Sequence, residues 1–204
     1  FDNAYALAVC SPARTALLTG RFGTRYQIGT WIRQGDGPAL PLDEAGIPVM
    51  LQSAEPVWST AWVGKWHMAD FDWPTGPGFH PLEHGFTHHR GSLGNTNDSY
   101  LDLSTPRNYY HWERNDDGVL GENEVYMTSQ TVNDALVAIA ELPEPWFVVV
   151  AFNASHTPLN WPPEHLAGPE PDDPSDYESY NAVTEALDSE LDRLFVVLEP
   201  WMQN

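Results

Sequence analysis

Trp146-Phe147-Val148-Val149-Val150-Ala151-Phe152, running into Asn153-Ala154-Ser155-His156-Thr157-Pro158, is the stretch that decides the fold. A short, unbroken, valine-rich apolar run fits a strand covered on both faces, as in a parallel sheet. Before it, Pro143 and Pro145 stop an amphipathic helix over Thr131 to Leu142, with Val132, Leu136 and Ile139 on one face. After it, a Pro-rich loop reaches Pro174, where Ser175 and Glu178 form a capping box. The helix that follows carries a stripe of Tyr180, Val183, Leu187, Leu191, Leu194 and Leu198. Helix, buried strand, loop and helix in this order give an α/β fold with a largely parallel central sheet flanked by helices.

Further upstream, Ser11 as N-cap, Pro12 at the first helical position and Gly20 as terminator delimit a helix over Pro12 to Thr19. A second helix starts at Pro48 and ends before Pro56, and Ser59 to Val63 reads as a strand entering Gly64-Lys65-Trp66-His67. From Asp70 to Gly121 the chain is rich in Gly, Pro, Asn, Asp and aromatics without periodicity, which reads as long ordered loops. In an α/β sheet, ligands gather outside the carboxyl ends of the strands. Lys65 and His67 follow one expected strand, His156 follows another, and Cys10 opens a helix whose free N–H groups favour anions.

The 204 residues suffice for one domain with a sizeable core, and the formal net charge is −20. That charge argues against nucleic acid and anionic membrane surfaces as partners, and no run is long or apolar enough to span a membrane, so no membrane insertion is expected. An acidic, lysine-poor chain fits a salt-rich environment and equally an acidic protein from a GC-rich genome. Cys10 is the only cysteine, so an internal disulfide and a Cys-cluster metal site are excluded. Lys65 is the only lysine, yet it stands two residues before a histidine. A chain that avoids a residue type everywhere else points to chemistry at the one place that keeps it. No signal peptide is visible, and Phe1 leaves a processed N-terminus open.

Each of these residues also has a plain structural role available. Cys10 is a nucleophile, the precursor of one, or a small buried side chain. A cysteine phosphatase would carry arginine six residues later, where this chain has Ala16. Lys65 and His67, at i and i+2, share a face on an extended segment and offer an oxyanion-binding cation and a proton shuttle. Alone, they read equally as a surface cation and a hydrogen-bonded imidazole, and His156 alone reads as a structural histidine. His80, His84, His88 and His89 invite a zinc site, although their spacing matches no familiar ligand set. The nine tryptophans serve sugar stacking or packing.

Together the segments resemble the sulfatase family of the alkaline phosphatase superfamily. Cys10-Ser-Pro-Ala-Arg14, continuing to Gly20-Arg21, resembles the signature around the cysteine that a maturase oxidises to formylglycine. Ala61-Trp-Val-Gly64-Lys65-Trp66-His67-Met68 is similar to the second signature, and Ala151-Phe-Asn-Ala-Ser-His156-Thr157-Pro158-Leu159 to the segment bearing a substrate-contacting histidine. Tyr180 and Leu187-Asp188 to Leu194 follow the family's helix pattern.

The resemblance implies an alkaline-phosphatase-like sandwich and hydrolysis of sulfate esters of small molecules or carbohydrates. It implies formylglycine at position 10 as nucleophile and metal ligand, with Ca2+, or Mg2+ or Mn2+, as the cation. Arg14 would hold the hydrated aldehyde, His67 would assist its collapse, and Lys65 and His156 would bind the sulfate oxygens. A formylglycine-generating maturase is the implied protein partner, and a periplasmic or secreted location is favoured. The family also carries paired aspartates on a strand before the cysteine motif, and an Asp-Asn pair and a lysine after the last helix. Neither set is present, and Asp116-Asp117 is no substitute. Residues 1–204 are therefore expected to be a partial catalytic domain, inactive alone, without the N-terminal metal-binding strand and the C-terminal portion. Such a piece should expose a sheet edge. A phosphonate monoester or phosphodiester hydrolase of the same superfamily, and a non-catalytic binder of sulfated glycans, are the alternatives.

Overall fold

β5 (Trp146–Ala151) is the strand expected from the apolar run, and it lies parallel to β1 (Ser59–Gly64). The computed structural model describes residues 3, 5–33, 37–69, 72–98 and 106–202. On the other side of β1 lies β2 (His88–Gly91), also parallel. An antiparallel hairpin, β3 (Trp112–Asp116) and β4 (Val119–Asn123), extends the sheet, giving the order β4-β3-β2-β1-β5. The sheet is parallel through its centre and antiparallel at one end.

Two helical layers cover it. Trp62 of β1 faces Leu18 of α1 (Cys10–Thr19) and the core residues Ile28, Ile32, Leu40 and Trp66, with Phe147 and Val149 of β5 joining them. Ala61 and Val63 point the other way, into Val132, Ala135 and Ile139 of α4 (Met127–Glu141) and Leu194 of α6 (Asp176–Met202). Alternation along β1 therefore builds two cores, and each large apolar side chain buried in them contributes about 1.5–3 kcal/mol. Shorter helices complete the chain: α2 (Ile47–Gln52), α3 (His80–Glu83) and α5 (Glu164–Ala167). The capping box forms as expected at the start of α6. Ser175 N–H reaches Glu178 Oε2 at 2.9 Å, and Glu178 N–H reaches Ser175 Oγ at 3.3 Å.

Three expectations need correction. The stretch from 70 to 121 is not loop throughout: it supplies α3, β2, β3 and the start of β4, while 70, 71 and 99–105 lie outside the described residues. Its hairpin turns at Asp117-Gly118, a two-residue connection that the surrounding charged residues obscure. Second, Val9 occupies the N-cap of α1 and Cys10 is the first helical residue. Ser11 is inside the helix, and its Oγ accepts the Ile32 N–H at 3.1 Å instead of capping. Third, β5 is half-buried along its whole length, not covered on both faces. Among the described residues no strand pairs with its outer edge, which leaves its apolar side chains partly uncovered.

Candidate active site

The first signature places Cys10 and Arg14 one turn apart on α1, so both point to the same side. The second signature places Lys65 and His67 immediately after β1. They are not on an extended segment as expected, because His67 has a left-handed backbone with φ 56°. Three backbone bonds pin this segment across the strand ends: Lys65 N–H to Ala151 O at 2.7 Å, Trp66 N–H to Ser92 O at 2.9 Å, and His67 N–H to Leu93 O at 2.8 Å. The approach depends on two glycines. A Cβ on Gly91 would collide with the Gly64 backbone, and a Cβ on Gly64 would collide with the Ala151 carbonyl.

His67 is 1% exposed, and each ring nitrogen has a distinct neighbour. Nε2 lies 3.0 Å from the Ile32 carbonyl, which can only accept, so Nε2 carries the proton. Burial, helped by the nearby charges of Lys65 and Arg14, pushes the imidazole down to about 3, so it is neutral near neutrality. Nδ1 is then a free acceptor, 3.3 Å from Cys10 Sγ, and the thiol donates to it. The geometry aims a proton acceptor at whatever group the Cys10 Cβ carries.

The cations are equally constrained. Arg14 donates to the Lys65 carbonyl, which also accepts the Trp62 indole N–H at 2.9 Å. Burial lowers Arg14 to about 10, still cationic at neutral pH. Lys65 is 2% exposed, and its Nζ donates to Asn95 Oδ1 at 2.6 Å. Burial brings this ammonium down to about 8, with Arg14 pushing the same way and Cys10 and Asp98 opposing. Asp98 accepts the Asn95 N–H at 2.6 Å, and burial raises its carboxyl. A cleft of about 730 Å³ between α1 and β5 reaches Cys10 and Arg14 and is walled by Leu17, Phe22, Trp62 and Val149.

His156 follows β5 as expected. Its N–H meets Asn153 O at 2.9 Å and Tyr109 Oη at 3.2 Å, while Tyr109 Oη–H donates to His156 O at 3.0 Å. The ring turns Nδ1 to Thr157 O at 2.7 Å, and it lies within electrostatic reach of His67 and Asp98. All five residues expected from the sequence thus converge on one end of the sheet. The sequence reading missed Asn95, Asp98, Tyr109 and the Ile32 carbonyl. The only hint was the Asn95-to-Asp98 spacing, whose side chain–backbone bond closes a local turn.

The zinc reading is overturned by geometry. His80 Nε2 and His84 Nε2 both bond the Leu40 carbonyl, at 3.1 and 3.0 Å. His88 pairs with Asp117 at 2.7 Å, and His89 Nδ1 meets the Asn115 amide at 2.7 Å. Among the described residues no three His, Cys, Asp or Glu side chains converge to hold a metal, at Cys10 or elsewhere.

The family model described as Sulfatase matches residues 1–200. Mouse (Mus musculus) arylsulfatase J is 29% identical over 185 residues, 79% of this chain and 27% of that protein. Human (Homo sapiens) N-acetylgalactosamine-6-sulfatase is 39% identical over 101 residues, 45% of this chain and 18% of that protein. The crystal structure of Ps i-CgsB in complex with k-i-k-neocarrahexaose superposes with TM-score 0.68 at 25% identity, over 94% of this chain and 44% of that one. This chain thus spans less than half of each of these proteins. Such neighbours identify the sandwich as alkaline-phosphatase-like. With its cysteine, arginine, lysine and histidines gathered at one end of that sheet, the chain belongs to the sulfatase family.

Proposed function

We propose that this chain is the nucleophile-bearing part of a sulfate ester hydrolase acting on a sulfated carbohydrate or aryl ester, with Cys10 converted by a maturase to formylglycine. One observation carries the reading: His67 is held neutral with Nδ1 aimed at the Cys10 side chain, and the cations Arg14 and Lys65 lie close by. Hydrated formylglycine, if formed at position 10, would supply a hydroxyl nucleophile that displaces the alcohol from sulfur, and a second hydroxyl whose deprotonation would expel sulfate as the aldehyde reforms.

The chain's own residues do the rest. His67 Nδ1 takes the proton of the second hydroxyl, because its other nitrogen is committed to Ile32. Arg14, anchored on the Lys65 carbonyl, holds the position-10 side chain beside that nitrogen. Lys65 places its charge against the sulfate oxygens in a site screened from water, where such charges act most strongly. His156 protonates the departing alcohol oxygen through Nε2, since Nδ1 is engaged with Thr157.

Calcium would polarise the sulfate. Among the described residues position 10 is the one candidate ligand for the ion, and no cage of carboxylates surrounds it. Its other ligands would come from segments outside residues 1–204, and the open edge of β5 supports reading this chain as a partial catalytic domain. A neocarrahexaose-bound neighbour supports a sulfated carbohydrate as substrate.

The test is made on full-length protein co-expressed with a maturase. Peptide mass spectrometry should show formylglycine at position 10, and 4-nitrophenyl sulfate should be cleaved well ahead of 4-nitrophenyl phosphate and phenylphosphonate esters. Preferential phosphorus–oxygen cleavage would transfer the site to the phosphonate and phosphodiester hydrolases. An unmodified thiol with retained sulfate affinity would make it a glycan-binding homologue.

A further inference from the structure

Residues 31–33 are fixed to the site, yet of the three only the Ile32 carbonyl enters the mechanism above. Ile32 is held through both backbone groups: its N–H by Ser11 Oγ at 3.1 Å, and its carbonyl by His67 Nε2 at 3.0 Å. Its side chain is buried in the core beside Leu40 and Trp66. Neighbours on either side of a residue pinned this way project outward together, and Trp31 and Arg33 are both exposed, Trp31 by 42%. The Arg33 guanidinium sits over the Trp31 ring, 4.9 Å from its centroid. One imidazole ring and two hydrogen bonds separate Ile32, the residue between them, from the Cys10 side chain.

The disposition of charge singles Arg33 out. The chain has nine Lys and Arg against a net charge of −20. Arg14 and Lys65 line the site, and Arg21, Arg90, Arg107, Arg114 and Arg193 are each paired with a carboxylate. Among the described residues, Arg25 and Arg33 are the two cations outside the site with no carboxylate partner. In so acidic a molecule a guanidinium with no carboxylate among the described residues is a poor device for stability. An exposed cation–π contact orients the group but is too weak to hold it from a stronger anion.

We infer that Trp31 and Arg33 form a specificity subsite for a second sulfate group on a multiply sulfated oligosaccharide. The inference rests on the sulfatase reading and deepens it. The planar fork of Arg33 would take two sulfate oxygens at once, and the half-exposed indole would hold that fork in place and offer apolar surface to the adjoining sugar ring.

Calorimetry on full-length protein carrying Cys10→Ala, which binds without turnover, tests this. Its probes are neocarrahexaose, a heparin tetrasaccharide and inorganic sulfate. Arg33→Gln should weaken the better oligosaccharide on the order of tenfold while inorganic sulfate stays within about twofold. Arg33→Lys should recover part of the loss, and Trp31→Ala should lose a similar amount with the thermal midpoint unchanged. Oligosaccharide affinity within twofold of the parent in both Arg33→Gln and Trp31→Ala would overturn the subsite. Equal losses for oligosaccharide and inorganic sulfate would do the same, since they place Arg33 in the sulfate pocket itself. Binding of inorganic sulfate with no gain for either oligosaccharide overturns the subsite and leaves the sulfatase reading standing. Binding of none of the probes overturns both.

Discussion

His67 and His80 make the most instructive pair in the molecule. They are 1% and 0% exposed, burial holds both imidazoles below the usual range, and each gives one N–H to a backbone carbonyl. The difference is the second nitrogen. His80 Nδ1 accepts the Trp66 indole N–H at 3.0 Å, which closes its hydrogen bonding inside the core. His67 Nδ1 faces a reactive side chain at the edge of a cleft. Burial and low proton affinity therefore do not mark a functional histidine here. The destination of the remaining lone pair does.

That distinction can be broken by mutation. In the matured full-length enzyme, Cys10→Ala should remove turnover entirely, because His67 then has no group to act on. His67→Ala should lower kcat on the order of 10²–10⁴-fold with a modest change in sulfate affinity, as expected for a lost general base. His80→Ala should do the reverse, costing about 2–4 kcal/mol in chemical denaturation through the cavity and the stranded indole N–H, with kcat little changed in the folded fraction. If His80→Ala cut kcat as deeply as His67→Ala in protein shown to be folded, the contrast would collapse.

Acid should act on both classes alike. His67 and His89 are held at about 3, and His80 and His84 are also lowered, against 6.5 when unfolded. As pH falls below about 6.5 the unfolded chain takes up these protons first, so stability is full above that pH and declines towards pH 3. The slope approaches about 1.4 kcal/mol per pH unit for each histidine. Urea midpoints at pH 7, 5.5 and 4.5 should fall in that order, less steeply in His80→Gln. A flat profile would show that the imidazoles are not held neutral. The smallest effect is expected at Asn95→Ala, which removes the Lys65 Nζ acceptor and should weaken inhibition by sulfate about three- to tenfold.

How much of this was legible beforehand follows the range of the interactions involved. Cys10, Arg14, Lys65, His67 and His156 were readable because each lies in a local motif after an element with a clear period or cap. The α6 capping box and the Gly20 terminus of α1 were readable for the same reason. Val9 displaced Ser11 as N-cap because a distant backbone N–H, that of Ile32, claims the serine hydroxyl. The β3–β4 hairpin was hidden because its strands carry Arg114 and several acids where alternation would show apolar residues, and these charges pair across to β2 and α4. Asn95, Asp98 and Tyr109 act through contacts with residues far along the chain, or with a turn that has no periodic signal. β5 was expected to be covered on both faces because its sequence is written for that environment, which the described residues do not supply.

The glycine pair at the ends of β1 and β2 has a consequence for how such a chain can diverge. Gly64 and Gly91 lie back to back, each leaving room for the other's backbone or for that of β5. A methyl group at either would wedge the strand ends apart and carry Lys65 and His67 away from Cys10. Loops around the site can drift freely to suit new substrates, yet these two positions cannot change one after the other without passing through a misaligned intermediate. They should behave as a ratchet: without a side chain to offer any ligand, and intolerant of even the smallest one.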